Sequence, residues 1–246
     1  MPLQPLLICF FLGKNALFRS SVCTILLNVP PSKPLYMLNF VEKQQFETFS
    51  VIPQNRFIMI KLAILASGNG TNAQRISEYF ADNTQISVDC IIYNKRNAYV
   101  AERAKKLGVP SRYFGRADFY DNGNVLRFLK EREIDWVILA GFLWLVPEDI
   151  LAAFPNRVIN IHPALLPLYG GKGMFGHHVH EAVIDNKEKE SGITIHIVDQ
   201  HYDKGTILFQ AKCQLTADDT PDTLADKIHL LEQRYFPEVI EKTVLQ

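Results

Sequence analysis

The sequence predicts an α/β protein: a doubly wound, mostly parallel sheet with an antiparallel C-terminal addition. Three observations carry this expectation. Ile60–Ala66 (IKLAILA) is an unbroken apolar run, as a strand buried on both faces requires. Apolar runs and helix-spaced segments then alternate as far as His162. Beyond Ile193, two strand-like runs are separated by a loop too short for a helical crossover.

The elements follow in order. Ser67–Asn72 (SGNGTN) reads as a turn and Asn72–Phe80 as a helix, with Ile76 and Phe80 on one face. Val88–Tyr93 is a strand, Ala98–Leu107 a helix, and Val109–Phe114 a short strand after Gly108. Phe119–Arg132 reads as a single helix, Trp136–Ala140 as a strand, Pro147–Ala153 as a short helix and Arg157–Ile161 as a strand. A helix begins at the histidines His177, His178 and His180. Ile193–Val198 and Thr206–Lys212 form the antiparallel pair, joined through Asp199–Gly205. Thr220 caps a final helix, Pro221 suits its first position, and the helix runs to about Glu241. Sheets wound this way bind ligands at the carboxyl ends of their strands.

Composition narrows the function classes. The 246 residues are 48% hydrophobic and 21% charged, enough for one α/β domain with a full core. Lys plus Arg and Asp plus Glu number 26 each, so the basic excess of a general nucleic-acid surface is missing. Any anion must be held locally. Cys9, Cys23, Cys90 and Cys213 stand far apart without a CxxC pair, which argues against a disulfide framework or zinc site and for the reducing cytoplasm. No run approaches the roughly 18 apolar residues of a membrane span.

Residues 1–58 read as an unassigned N-terminal extension. Leu6–Leu12 is apolar but short, with no basic segment before it to make a signal peptide. Pro30, Pro31 and Pro34, then Gln44, Gln45 and Gln54, follow without sustained periodicity. Two explanations compete, a poorly ordered extension and a translation start at Met59, and the second is preferred; on either, 59–246 is the working domain and 1–58 has no catalytic role.

Four constellations carry chemistry. In SGNGTN, two glycines at a strand-to-helix turn let backbone amides approach an anion, and Thr71 and Asn72 add donors. The plain alternative is a capped glycine turn. The spacing matches neither the dinucleotide nor the P-loop signature. In Asn160–Pro167 (NIHPALLP), strand alternation sends Asn160 and His162 to one face, and Pro163 stops the strand behind them. An amide beside an imidazole can bind an oxyanion and move a proton, or can simply be a hydrogen-bonded pair. In the segment His196–Gly205, an aspartate could orient His162 and favour its imidazolium, raising it from about 6.5. Residue chemistry alone leaves Asp203 and Asp199 equal. Finally, His177, His178 and His180 suggest a metal, but lack cysteine and carboxylate partners at ligand spacing, so no metal is expected.

Together, SGNGTN (67–72), LAGF (139–142), NIHPALLP (160–167), the GITIH–YDKG block (192–205) and LLEQRYFP (230–237) resemble the folate-dependent phosphoribosylglycinamide formyltransferase family over about residues 60–243. The resemblance implies the formyltransferase fold and transfer of a formyl group from 10-formyltetrahydrofolate, as co-substrate, to the amine of 5-phosphoribosylglycinamide in purine biosynthesis. It implies a catalytic trio of Asn160, His162 and Asp203. Gly70, Thr71 and Asn72 match the loop that holds the substrate phosphate, and Glu232 matches a glutamate contacting the ribonucleotide. Leu143, Trp144, Leu145 and Val146 match the stretch whose backbone faces the pterin, with Asn160 beside it. His196 matches a histidine near the site whose role stays open. The implied partners are the two small molecules, with no nucleic acid or membrane, and the chain is a monomer or homodimer.

Two departures stand out. The family often carries an arginine in the helix after the third strand, where this chain has Asn122 or its neighbours, and the loop between Pro167 and His180 (LYGGKGMFGHH) is longer than the common form. No serine or cysteine matches an acyl-carrying position, so direct transfer is expected. The rivals are a formyltetrahydrofolate hydrolase, whose family carries an N-terminal regulatory domain that residues 1–58 are too short to supply, and a non-catalytic nucleotide-binding module. Methionyl-tRNA formyltransferase fits less well, since no basic surplus or added RNA-binding domain is seen.

Overall fold

The structure, a computed structural model, describes residues 59–246 and the strand segments Cys9–Phe10, Cys23–Leu26, Tyr36–Phe40 and Ser50–Val51. The chain divides into two compact units, Met1–Phe57 and Ile58–Gln246. In the first, β1 (Cys9–Phe10), β2 (Cys23–Leu26), β3 (Tyr36–Phe40) and β4 (Ser50–Val51) pair in sequence order as an antiparallel sheet. The sequence reading found no pattern there, because segments this short carry too few residues for alternation to register.

The second unit is a seven-stranded α/β sheet. Its strands are β5 (Ile60–Ala66), β6 (Ile86–Tyr93), β7 (Ser111–Tyr113), β8 (Trp136–Leu139), β9 (Val158–His162), β10 (Glu190–Ile197) and β11 (Ile207–Gln214). They stand in the order β11-β10-β9-β8-β5-β6-β7. The five from β7 to β9 are parallel, while β10 runs antiparallel to both β9 and β11. The chain leaves β5 toward β6 and β7, then returns to β8 and β9 on the other side. The gap between β5 and β8 is therefore the point where winding reverses and ligands bind.

Burial on β5 shows why its run is continuous. Leu62, Ile64 and Ala66 join one apolar cluster, while Ala63 and Leu65 join another on the opposite face. The first cluster takes α1 (Thr71–Tyr79), α2 (Val100–Leu107), α6 (His177–Asp185) and α7 (Pro221–Val244). The second takes α3 (Arg116–Tyr120), α4 (Asn124–Glu131) and α5 (Glu148–Ala153).

One expected element is two. The helix read over Phe119–Arg132 is α3 and α4, broken where Gly123 adopts a left-handed φ of 60°. Asp118 holds the break by accepting from the Gly115 amide (2.9 Å) and the Asn124 side chain (2.6 Å). The arginine question also changes. Asn122 lies inside this break, whereas α3 itself carries Arg116, its guanidinium 4.8 Å over the Tyr120 ring. At α7 the expected cap is present: Thr220 Oγ1 accepts from the Thr223 amide at 3.2 Å, with Pro221 next. No helix among the described residues is long and apolar enough to cross a membrane.

Candidate active site

A cleft of about 640 Å³ opens at the carboxyl ends of β5, β8 and β9. Ser67 ties its floor together, donating its amide to the Gly141 carbonyl (3.0 Å) while its Oγ accepts from the Leu143 amide (2.9 Å). The loops after β5 and β8 are thus joined across the switch point.

One end is the SGNGTN turn. Gly70 has φ 77° and its α-carbon faces Val100, where a Cβ would lie 2.4 Å from Cγ2. Only glycine allows both the left-handed backbone and the close approach of α2. Arg103 on α2 braces the turn, donating from Nε to the Asn69 carbonyl (2.8 Å) and from Nη2 to Asn69 Oδ1 (3.0 Å). The amides that open α1 therefore face the cleft at a helix N-terminus, a ready anion site. Gly70, Thr71 and Asn72 all line the cleft. Asn72 Nδ2 donates to Glu232 Oε2 at 2.9 Å, linking the turn to α7. Glu232 is buried, and burial raises its carboxyl above the ordinary value despite that bond.

The other end is built by strand register. Asn160 and His162 leave β9 on the same side, and β10 places His196 opposite Asn160. His196 Nδ1 lies 2.9 Å from the Ile197 carbonyl, and its Nε2 lies 3.1 Å from Asn160 Nδ2. An amide NH₂ has two hydrogens, and the second Asn160 hydrogen is left for a ligand. His162 Nε2 donates to the Tyr169 carbonyl at 2.7 Å. Its Nδ1 faces Asp203 Oδ1 at 3.7 Å, and His196 Nε2 lies 3.7 Å from the same oxygen. Asp203 adopts φ 54° and accepts from the Gly171 amide at 2.9 Å.

The structure thus separates two aspartates that residue chemistry left equal. Asp199 turns to its own loop, accepting from the His201 amide at 2.8 Å, while Asp203 faces both histidines. The expected charge on His162 needs correction. Burial lowers the imidazole below its ordinary value, and the opposing pull of Asp203 and the Tyr169 carbonyl does not overcome it. Asp203 itself is held below the usual carboxylate range: burial pushes it up, but His196, His162 and the Gly171 amide together win.

Leu143, Trp144, Leu145 and Val146 also line the cleft. Two of their backbone groups already have partners, the Leu143 amide in Ser67 and the Leu145 carbonyl in the Tyr120 hydroxyl (2.7 Å). Trp144 packs edge-on to Phe119 with centroids 5.4 Å apart, beside Phe142 and Tyr120, giving this wall a flat aromatic character. His177 and His178 are exposed and face Glu181, while His180 is buried and lines the cleft. Among the described residues, no group of three His, Cys, Asp or Glu side chains is arranged to hold a metal.

Sequence reasoning missed Gly171, His180 and His229 as cleft groups, and Tyr169 as the partner of His162. Tyr169 and Gly171 act through backbone atoms, which no residue type announces. His229 precedes Glu232 by three positions on a helix, and that spacing puts both on one face.

Residues 60–240 match the formyl transferase family. The chain is 39% identical over 186 residues to the chloroplastic phosphoribosylglycinamide formyltransferase of Arabidopsis thaliana, covering 73% of this chain and 64% of that protein. It therefore spans less than two thirds of the length of that relative. It is 32% identical over 189 residues to the phosphoribosylglycinamide formyltransferase of Bacillus subtilis, covering 75% of this chain and 94% of that one. Among solved structures, the phosphoribosylglycinamide formyltransferase of Streptococcus pneumoniae superposes with a TM-score of 0.67 at 37% identity, over 76% of this chain and 99% of the other.

Proposed function

Because the chain belongs to the formyl transferase family, we propose that it moves the formyl group of 10-formyltetrahydrofolate to the amine of 5-phosphoribosylglycinamide, a step of de novo purine biosynthesis. One observation carries this reading. Asn160 and His162 on β9 and Asp203 in the distant loop after β10 converge at one end of a cleft whose other end is the Gly70–Asn72 anion turn with Glu232.

In this reading the ribonucleotide phosphate sits on the turn, Glu232 meets its sugar, and the pterin lies against the Leu143–Val146 wall. The amine attacks the formyl carbon, and the carbonyl oxygen becomes an oxyanion. The free hydrogen of Asn160 Nδ2 meets that oxygen. His162 Nε2–H, which rests on the Tyr169 carbonyl, transfers its bond to the same oxygen; donors of this kind each lower the barrier by about 3–4 kcal/mol. Burial keeps His162 largely neutral in the free cleft, and the new negative charge, with Asp203 behind the ring, favours the imidazolium when it is needed. The proton lost by the amine reaches the leaving folate nitrogen through this pair. Transfer is direct, without an acyl-enzyme.

The working unit is residues 59–246, with 1–58 taking no part in the chemistry, and the free thiols Cys90 and Cys213 support a cytoplasmic setting. The test is folate release from 10-formyltetrahydrofolate with and without the ribonucleotide. Amine-dependent release is expected. Amine-independent release would make the protein a hydrolase, and none would leave a binding module.

A further inference from the structure

His180 has no role in the reaction as described, yet its setting is unlike that of the other α6 histidines. It is 5% exposed and lines the cleft, and its Nδ1 is sealed from solvent without a hydrogen-bond partner among the described residues. His177 and His178, by contrast, are exposed and lie 3.5 and 3.3 Å from Glu181. Burial, in the company of His229, His177 and His162, pushes the His180 imidazole down to about 4, so the ring is neutral at neutral pH.

A neutral imidazole has one N–H and one bare nitrogen. A sealed, unpaired N–H is the rarer and costlier arrangement, so the bare lone pair belongs at Nδ1 and the proton at Nε2. Helix α6 packs on α7, which brings His229 and Glu232 to the same cleft. His180 therefore shares the wall of the cleft that carries His229 and Glu232.

We propose that His180 is a further substrate-binding residue, donating a hydrogen bond from Nε2 to an oxygen of the ribonucleotide. This rests on the ribonucleotide reading above. A neutral donor suits an oxygen acceptor, and the substrate offers two sources: its phosphate, and its sugar–glycinamide oxygens.

The test is calorimetric binding of glycinamide ribonucleotide, and of its dephosphorylated nucleoside, to the wild-type protein and to His180→Phe and His180→Gln. His180→Phe should weaken ribonucleotide binding about tenfold, the scale of one hydrogen bond. His180→Gln, whose amide nitrogen reaches toward the Nε2 position, should recover most of the loss, and the folate Kd should not move in either variant. A loss shared by the nucleoside assigns the contact to the sugar–glycinamide part; a loss confined to the ribonucleotide assigns it to phosphate. Wild-type affinity in His180→Phe, or a glutamine variant as weak as the phenylalanine one, would overturn the proposal. Failure of the wild-type protein to bind ribonucleotide would overturn this inference and the function reading together. Independently of any variant, the ring ¹⁵N shifts of wild-type His180 should report a proton on Nε2 and should move on adding ribonucleotide; an unmoved signal also overturns the proposal.

Discussion

The two ends of the cleft are built from different materials. The anion end is mainly backbone: a glycine turn, the first amides of α1, and a brace from α2. The end where formyl transfer is proposed, the acyl end, is side chains, brought together by the register of β9 on β10 and by a loop that turns Asp203 inward. Backbone sites lose less binding on side-chain truncation than on added bulk, although a truncated side chain that pairs elsewhere, as Asn72 does with Glu232, still costs stability. Side-chain sites behave the opposite way. Each of the following substitutions tests that contrast.

The largest effect belongs to the acyl end. His162→Ala or Asp203→Asn should lower kcat by two or more orders of magnitude with little change in ribonucleotide KM, read by steady-state kinetics. A near-normal kcat in His162→Ala would dissolve the contrast. At the anion end the sensitive change is an addition. Gly70→Ala places a Cβ 2.4 Å from Val100 Cγ2 on a φ of 77°, so ribonucleotide KM should rise roughly tenfold and stability should fall by about 1–3 kcal/mol, with kcat at saturation largely kept.

Asn72→Ala removes the donor that satisfies buried Glu232, and the expected result is a several-fold rise in KM and a destabilisation of about 1–3 kcal/mol. Acid sensitivity follows from the buried histidines. His180 lies below its ordinary value when folded, so the unfolded chain binds the extra proton. Its contribution is complete above about 6.5 and is lost as pH falls toward about 4. His162 shifts in the same direction. Thermal melting from pH 7 downward should therefore fall more steeply in wild type than in His180→Gln. The smallest effect is expected for Arg103→Ala, which frees the partly exposed Asn69 bonds and should raise KM about twofold, since the turn keeps its contact with Val100.

The same contrast explains what could be read in advance. The parallel half was legible because each strand, turn and helix announces itself within a dozen residues: β5 by its apolar run, the anion turn by its glycines, α7 by Thr220 and Pro221. The acyl end was legible only in pieces. Alternation put Asn160 and His162 on one face, but the choice of Asp203 over Asp199 depends on a left-handed residue inside the loop between β10 and β11. The neutral tendency of His162 depends on burial by segments distant in the chain. The break at Gly123 was hidden by flanking apolar residues that keep helical spacing across it.

The most direct test of the central claim is the destination of the formyl carbon. With ¹³C-labelled 10-formyltetrahydrofolate, glycinamide ribonucleotide and catalytic protein, the account predicts that the label appears as a formamide on the ribonucleotide, one for each folate released. Label appearing as formate, at the same rate with or without the ribonucleotide, would contradict it.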